Sequence, residues 1–250
     1  QKMETRLFLD MLPQPDQTTC GPTCLHAVYR YFDDRLSLDQ IISEVNHLEG
    51  GGTLAVYLAC HALRRGYRAT IYTYDLQVFD PTWFDLGGMG IREKLERQLL
   101  YKGDNEILRV ATRAHLDFLA LGGSLRFEVL TPKLLRRYLG RGIPILTGLS
   151  ATYLYHSARE SAEGLTLTYD DIRGESTGHF VVLSGYDRET RSVLIADPIK
   201  PNPVAEGHHY PVDIYRLICA IMLGILTYDG NLLIIEPPRG RRRLPVYRSS

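Results

Sequence analysis

Apolar positions recur at helical spacing through the first 75 residues and shift to short apolar runs and alternation after about residue 125. Arg6 to Leu12, an apolar stretch ending at Pro13, predicts a strand. From Gly21 to Phe32, Cys24, Leu25, Val28, Tyr29 and Phe32 share one helical face, and Pro22 suits a first turn. Ser37 with Gln40 reads as a capping box opening a second helix that carries Ile41, Ile42 and Val45. That helix stops near Gly50-Gly51-Gly52, and Thr53 caps a third helix through Arg65, closed by Gly66. Ala69, Ile71 and Thr73 then alternate as a strand.

Two further helices are expected at Arg92 to Tyr101 and Glu106 to Leu121, inside a stretch that reads as an insertion or lid. Downstream come a strand at Leu125 to Val129, a helix from Thr131 to Gly140 and a strand at Ile143 to Leu149. His179 to Tyr186 and Ser192 to Ala196 read as a hairpin across Asp187 to Arg191. A helix at Asp213 to Leu226 and a strand at Asn231 to Ile235 complete the pattern. Helices early and strands late predict an α+β fold whose halves face one another across a groove. The expected organisation is one domain over 1–238: a helical part at about 13–75, the insertion at about 76–124 and a sheet part at about 125–238.

Charge and composition narrow the function classes. The 250 residues hold 29 basic and 29 acidic side chains, which gives no reason to expect a nucleic-acid partner. Five of the arginines lie in residues 239–250, a basic tail after a mildly acidic body. Four cysteines are too few for a disulfide scaffold in a chain able to stabilise itself by core burial, so reduced thiols are expected. The longest apolar run, Leu217 to Leu226, is about half of what a bilayer span needs and predicts a buried core helix rather than a membrane contact. With Met3 as the native start and no apolar leader after it, a cytoplasmic location is expected.

The densest chemical signal is the segment Gln14 to Leu25, a loop running into a helix with a thiol at the junction. Unpaired N–H groups and the positive end of the macrodipole at a helix start favour thiolate over thiol, and a thiolate is a nucleophile. The alternative is that Cys20 and Cys24 are small buried residues one turn apart. His179 opens an otherwise apolar strand, where its imidazole can reach a groove while the following residues pack inside. Asp197, 18 residues on and on the neighbouring strand of that hairpin, can accept the second ring N–H and fix the tautomer. Acyl transfer also needs donors for an oxyanion; the Gln14 side chain and the Cys20 N–H can supply them, with Gln17 as a rival.

Gln14, Cys20-Gly21 with Cys24, His179-Phe-Val-Val-Leu and Ala196-Asp197-Pro198 together resemble the bacteriocin-processing peptidases that remove double-glycine leaders, within the papain-like cysteine peptidase superfamily. The Gly51-Gly-Thr segment and the helix before Gly142-Ile-Pro add to the resemblance, which covers about 1–75 and 125–236. It implies a papain-like fold, a bacterial setting and a peptide or protein substrate. It also implies Cys20 as nucleophile, His179 as base and then acid, Asp197 as orienting residue and Gln14 as oxyanion donor. Thr18, six residues before Cys24, has no amide, whereas Gln14 stands six before Cys20, so Cys24 is assigned to packing.

No metal or cofactor is expected. Cys20, Cys24, His26 and the His208-His209 pair lack structural-zinc spacing, C-x₃-C is not the redox C-x-x-C, and the glycine run lacks a phosphate loop's Lys-Ser/Thr. The expected activity is hydrolysis of a peptide or isopeptide bond through a thioester acyl-enzyme. Acyl transfer to an amine at the same site and a catalytically silent peptide-binding domain are the alternatives.

Overall fold

In the computed structural model, residues 5–85, 90–163, 166–238 and 247–248 are described. Strand β1 is only Thr5–Arg6, shorter than the alternation from Arg6 to Leu12 predicts. Leu7 N–H donates to the Ser184 carbonyl at 2.7 Å. Beyond it, Leu7, Leu9 and Met11 stay buried while Phe8 and Leu12 face outward, without a ladder. Alternate burial needs an extended backbone; a strand also needs a partner, and here the partner ends.

Helix α1 (Cys20–Tyr31) buries every residue except Arg30. Each large apolar side chain removed from water contributes roughly 1.5–3 kcal/mol, so this helix is anchored along its length and its first residue, Cys20, with it. In α2 (Leu38–Glu44) the Ser37 hydroxyl accepts the Gln40 N–H at 3.3 Å. The reciprocal half of the box is missing, because the Gln40 amide donates to Glu44 instead, at 2.7 Å. Helix α3 spans Ala55–Arg64. Thr53 does not cap it: its hydroxyl donates to the Asn46 carbonyl at 2.8 Å, and Leu54 holds the cap position with no side-chain bond.

Strand β2 (Arg68–Thr73) is followed by α4 (Ile91–Lys102), α5 (Glu106–Ala120) and β3 (Ser124–Arg126). Helix α5 buries Leu108, Ala111, Ala114 and Phe118 and packs on α3 and α4, while β3 adds to β2 in parallel. Helix α6 (Pro132–Leu139) begins with the Thr131 hydroxyl accepting the Leu134 N–H at 3.2 Å. Then come β4 (Ile145–Ser150), α7 (Ala151–Tyr155), and a hairpin of β5 (Glu160–Glu163) and β6 (Thr166–Tyr169). The chain ends with β7 (Gly178–Asp187), β8 (Ser192–Ala196), β9 (His209–Asp213), α8 (Ile214–Leu223), β10 (Asn231–Glu236) and β11 (Tyr247–Arg248).

The main sheet runs β11-β1-β7-β4-β10-β2-β3, with β8 on β7 and β9 on β8; every pairing but β2–β3 is antiparallel. Consecutive residues of β4, β7 and β10 are buried, so this sheet is covered on both faces. Helix α1 packs on β7, α3 on β2 and β10, and α8 on β4, β8 and β9. The fold is α+β, as expected.

Helix α8 is not the fully buried core helix predicted for Leu217 to Leu226. Ile214, Leu217, Ala220 and Ile221 face the core, whereas Met222, Leu223 and Leu226 are exposed. Among the described residues no helix is long and apolar enough to cross a membrane. Of the arginine-rich tail, Tyr247–Arg248 pair with β1, while Arg239, Arg241, Arg242 and Arg243 lie outside the described residues.

Candidate active site

The loop before α1 is organised by Asp16. Its carboxylate accepts the Thr18 N–H at 2.7 Å and the Thr18 hydroxyl at 2.8 Å, and these bonds hold it below the usual carboxylate range even though burial pushes the other way. Thr19, the cap residue, gives no side-chain bond to the helix start, and Pro22 has no N–H to offer. The N–H groups of Cys20 and Gly21 therefore have no hydrogen-bond partner among the described residues. The same loop is tied to the other half of the molecule, because Gln14 N–H donates to the Pro198 carbonyl at 2.9 Å. That bond brings Gln14 beside the segment that carries Asp197.

His179 is the second residue of β7 and opposite Leu149 in β4. Asp197 immediately follows β8, which pairs with β7. The hairpin register closes the gap: His179 Nε2 lies 2.9 Å from Asp197 Oδ1, and the carboxylate is fully buried. An ionised carboxylate only accepts, so Nε2 donates and Nδ1 is the ring atom left free of Asp197, while the Cys20 side chain lies close enough to the ring to act on it. Burial alone would lower the imidazole's pKa. The Asp197 charge and hydrogen bond, joined by Cys20, override it and raise the ring to about 10. In turn the imidazolium, with Tyr210 and the Ile199 N–H, keeps Asp197 below the usual carboxylate range against its own burial.

Two side chains that sequence reasoning did not single out complete this carboxylate's shell. Tyr155 at the end of α7 and Tyr210 in β9 both donate to Asp197 Oδ2, at 2.8 and 2.6 Å. The Tyr155 ring also lies beside the imidazole, 6.0 Å between centroids. Burial and the adjacent Asp197 push both phenols well above their ordinary range, so they remain donors. His208 and Asp197 exchange backbone and ring contacts, the His208 N–H at Nδ1 meeting the Asp197 carbonyl at 2.7 Å. His209 lies in β9 and does not join a metal cluster; among the described residues no group of three or more His, Cys, Asp or Glu side chains is placed to hold a metal ion.

Gln14 Nε2 donates one hydrogen to the Asp16 carbonyl at 2.7 Å, which fixes the amide's orientation and leaves the second N–H uncommitted. Gln14 and His179 line a common cleft of about 330 Å³, together with Tyr155, Tyr169 and Lys200. Gln17 lines it too, with its side chain exposed and no hydrogen bond from its amide among the described residues. Cys20, 8% exposed, is joined to this cleft through its partner His179. Cys24 is fully buried, its thiol donating to the Phe180 carbonyl at 3.2 Å, and burial pushes that thiol far up its scale. A larger groove of about 940 Å³ along α7 and α8 contains none of Gln14, Cys20, His179 and Asp197. The convergence of donors, rather than cavity size, marks the cleft beside His179.

A helix-borne thiol, a strand-borne imidazole and a buried carboxylate, set at the junction of a helical half and an antiparallel sheet, define the papain-like architecture. Residues 130–217 match the model of the Peptidase_C39 like family. A crystallised Bacillus anthracis protein described as a C39-like peptidase has the same fold, with a TM-score of 0.51 over 98% of this chain and 100% of that one at 14% identity. A double glycine motif protease from an AMS/PCAT transporter, crystallised with its leader peptide, gives a TM-score of 0.45 over 93% of this chain and 94% of that one, also at 14% identity. No curated protein matches the chain. The family match and the Bacillus anthracis fold bear out the resemblance of the sequence to the bacteriocin-processing, papain-like peptidases.

Proposed function

We propose that the chain is a cysteine peptidase that hydrolyses a peptide or isopeptide bond. The Cys20 thiolate attacks the amide carbonyl, and the negative charge moves to the carbonyl oxygen. The free Gln14 N–H and the unpartnered backbone N–H of Cys20 stabilise that oxyanion. His179 passes its Nδ1 proton to the departing amine as the C–N bond breaks, which leaves a thioester on Cys20. The neutral ring then takes a proton from water, whose oxygen attacks the thioester, and the acid is released with the thiolate restored. Asp197, anchored by Tyr155 and Tyr210, keeps Nε2–H engaged so that Nδ1 faces the sulfur throughout. Cys24, buried and protonated, takes no part.

The observation that carries this reading is the bond from His179 to the buried Asp197 carboxylate, which together with the nearby Cys20 raises the ring's pKa to about 10. It favours an imidazolium beside the sulfur at neutral pH, the state in which a cysteine peptidase attacks. Turnover of a peptide library by the protein, with Cys20→Ala as control, tests it: cleavage by the parent and none by the folded variant is expected. Cleavage that survives the substitution refutes the assignment, and no cleavage by either protein favours a silent peptide-binding domain. Adding primary amines to the reaction and weighing the products separates hydrolysis from acyl transfer.

A further inference from the structure

The β5–β6 hairpin, which the sequence pattern left unassigned, sits at the rim of the cleft. Glu160 and Tyr169 are directly opposite one another in its register, so their side chains project from the same face. Both line the cleft that His179 and Gln14 line. Tyr169 is 59% exposed, an aromatic ring open to solvent beside the site. The Glu160 carboxylate has no ion-pair or hydrogen-bond partner among the described residues, although Lys200 stands in the same cleft. Its neighbour Arg159 is engaged elsewhere, donating to the Ile172 carbonyl at 3.1 Å. The start of β5 is further tied to the chain beyond the hairpin by a reciprocal pair of backbone bonds between Glu160 and Glu175, at 3.0 and 2.8 Å.

An uncommitted carboxylate beside an exposed ring is the pairing that holds an organic cation, one group meeting its charge and the other its apolar or π-facing surface. Resting on the peptidase reading of the adjacent site, we infer that Glu160 and Tyr169 form a specificity subsite for a lysine or arginine side chain of the peptide substrate. The hairpin presents them as a unit, so the cation is bound at a fixed distance from the scissile bond and selected at a single position of the peptide. Because Glu160 is partly open to solvent, its charge and the ring together account for about a tenfold preference rather than an absolute one.

A peptide array probed with labelled Cys20→Ala protein reads binding without turnover. Lysine or arginine enriched at one position is expected, lost on adding Glu160→Gln and replaced by aspartate or glutamate on adding Glu160→Lys. Tyr169→Ala should reduce the same preference while leaving its position unchanged. No basic enrichment, or enrichment that Glu160→Gln leaves intact, overturns the subsite. Cleavage of the bound peptides by the protein with Cys20 intact is scored separately. Cleavage without basic selection refutes the subsite alone, and basic selection without cleavage refutes the peptidase reading alone.

Discussion

Replacing Asp197 by Asn keeps the side chain's shape but removes its charge and turns one accepting oxygen into a donor, which tests what the carboxylate does to His179. The wild-type ring is raised to about 10, against about 6.5 for a free imidazole. The difference corresponds to roughly 5 kcal/mol of preference for the imidazolium, shared between Asp197 and Cys20. Without the carboxylate, burial is the largest influence left, and it favours the neutral ring. In Asp197→Asn the ring should therefore titrate near or below about 6.5, where roughly one molecule in thirty still carries the imidazolium at pH 8. Measured against the wild type at the same pH, turnover by the variant should fall about thirtyfold further at pH 8 than at pH 5.5. Stability follows the same linkage. A raised basic group contributes fully below its unfolded pKa and loses that contribution as pH climbs to the folded value, so the wild type should weaken from about pH 6.5 to 10 and the variant should not. Selective ¹³C labelling of histidine and an NMR titration read the ring directly. A wild-type His179 resonance titrating near pH 6.5, or a variant whose titration matches the wild type, would refute the reasoning.

Three other substitutions probe neighbouring parts of the account. Tyr210→Phe removes the 2.6 Å bond to a fully buried carboxylate and should lower stability by about 1.5–3 kcal/mol in denaturant titration, with Tyr155 left as the only phenol on Oδ2. Gln14→Ala should lower kcat by roughly a hundredfold while the rate of Cys20 alkylation stays the same; an unchanged kcat would move the oxyanion role to Gln17. Asp229 is buried against Gly178, its pKa raised to about 8 by desolvation, and its Oδ1 has no hydrogen-bond partner among the described residues. A raised carboxyl costs stability progressively from about pH 4 up to about 8, so Asp229→Asn should stabilise the protein by up to about 4 kcal/mol at pH 7 and by almost nothing at pH 4. Equal effects at the two pH values would exclude a protonation origin.

Local pattern carried the elements whose burial is one-sided or complete. The first helix was legible because Cys24, Leu25, Val28 and Tyr29 all face the core, and the β7–β8 hairpin because its apolar runs flank a polar turn at 187–191. Proximity of His179 and Asp197 followed from that hairpin alone. The misreadings share a cause, which is that the deciding partner lies outside the element being read. Thr53 turned to Asn46 instead of capping its helix, and Leu7 to Leu12 had no partner strand to form a ladder. Tyr155 and Tyr210 reach Asp197 from 42 and 13 residues away. Tyr210 arrives only through the β8–β9 register, and β9 alternates over just five residues with Pro211 at its centre, too short a signal to read from the sequence. The β5–β6 hairpin was hidden for a similar reason: a two-stranded sheet at the surface needs no apolar face.

The account turns on Cys20 being the sulfur that attacks a bound carbonyl. Peptide-directed electrophiles, such as a peptidyl vinyl sulfone, test this more directly than simple alkylators, which would also modify the exposed Cys219. In a Cys219→Ser background, mass spectrometry of the labelled protein should place one adduct on Cys20, and His179→Ala should slow its formation by on the order of a thousandfold. An adduct on Cys24 or Cys60, or a Cys20 adduct whose rate is indifferent to His179, would contradict it.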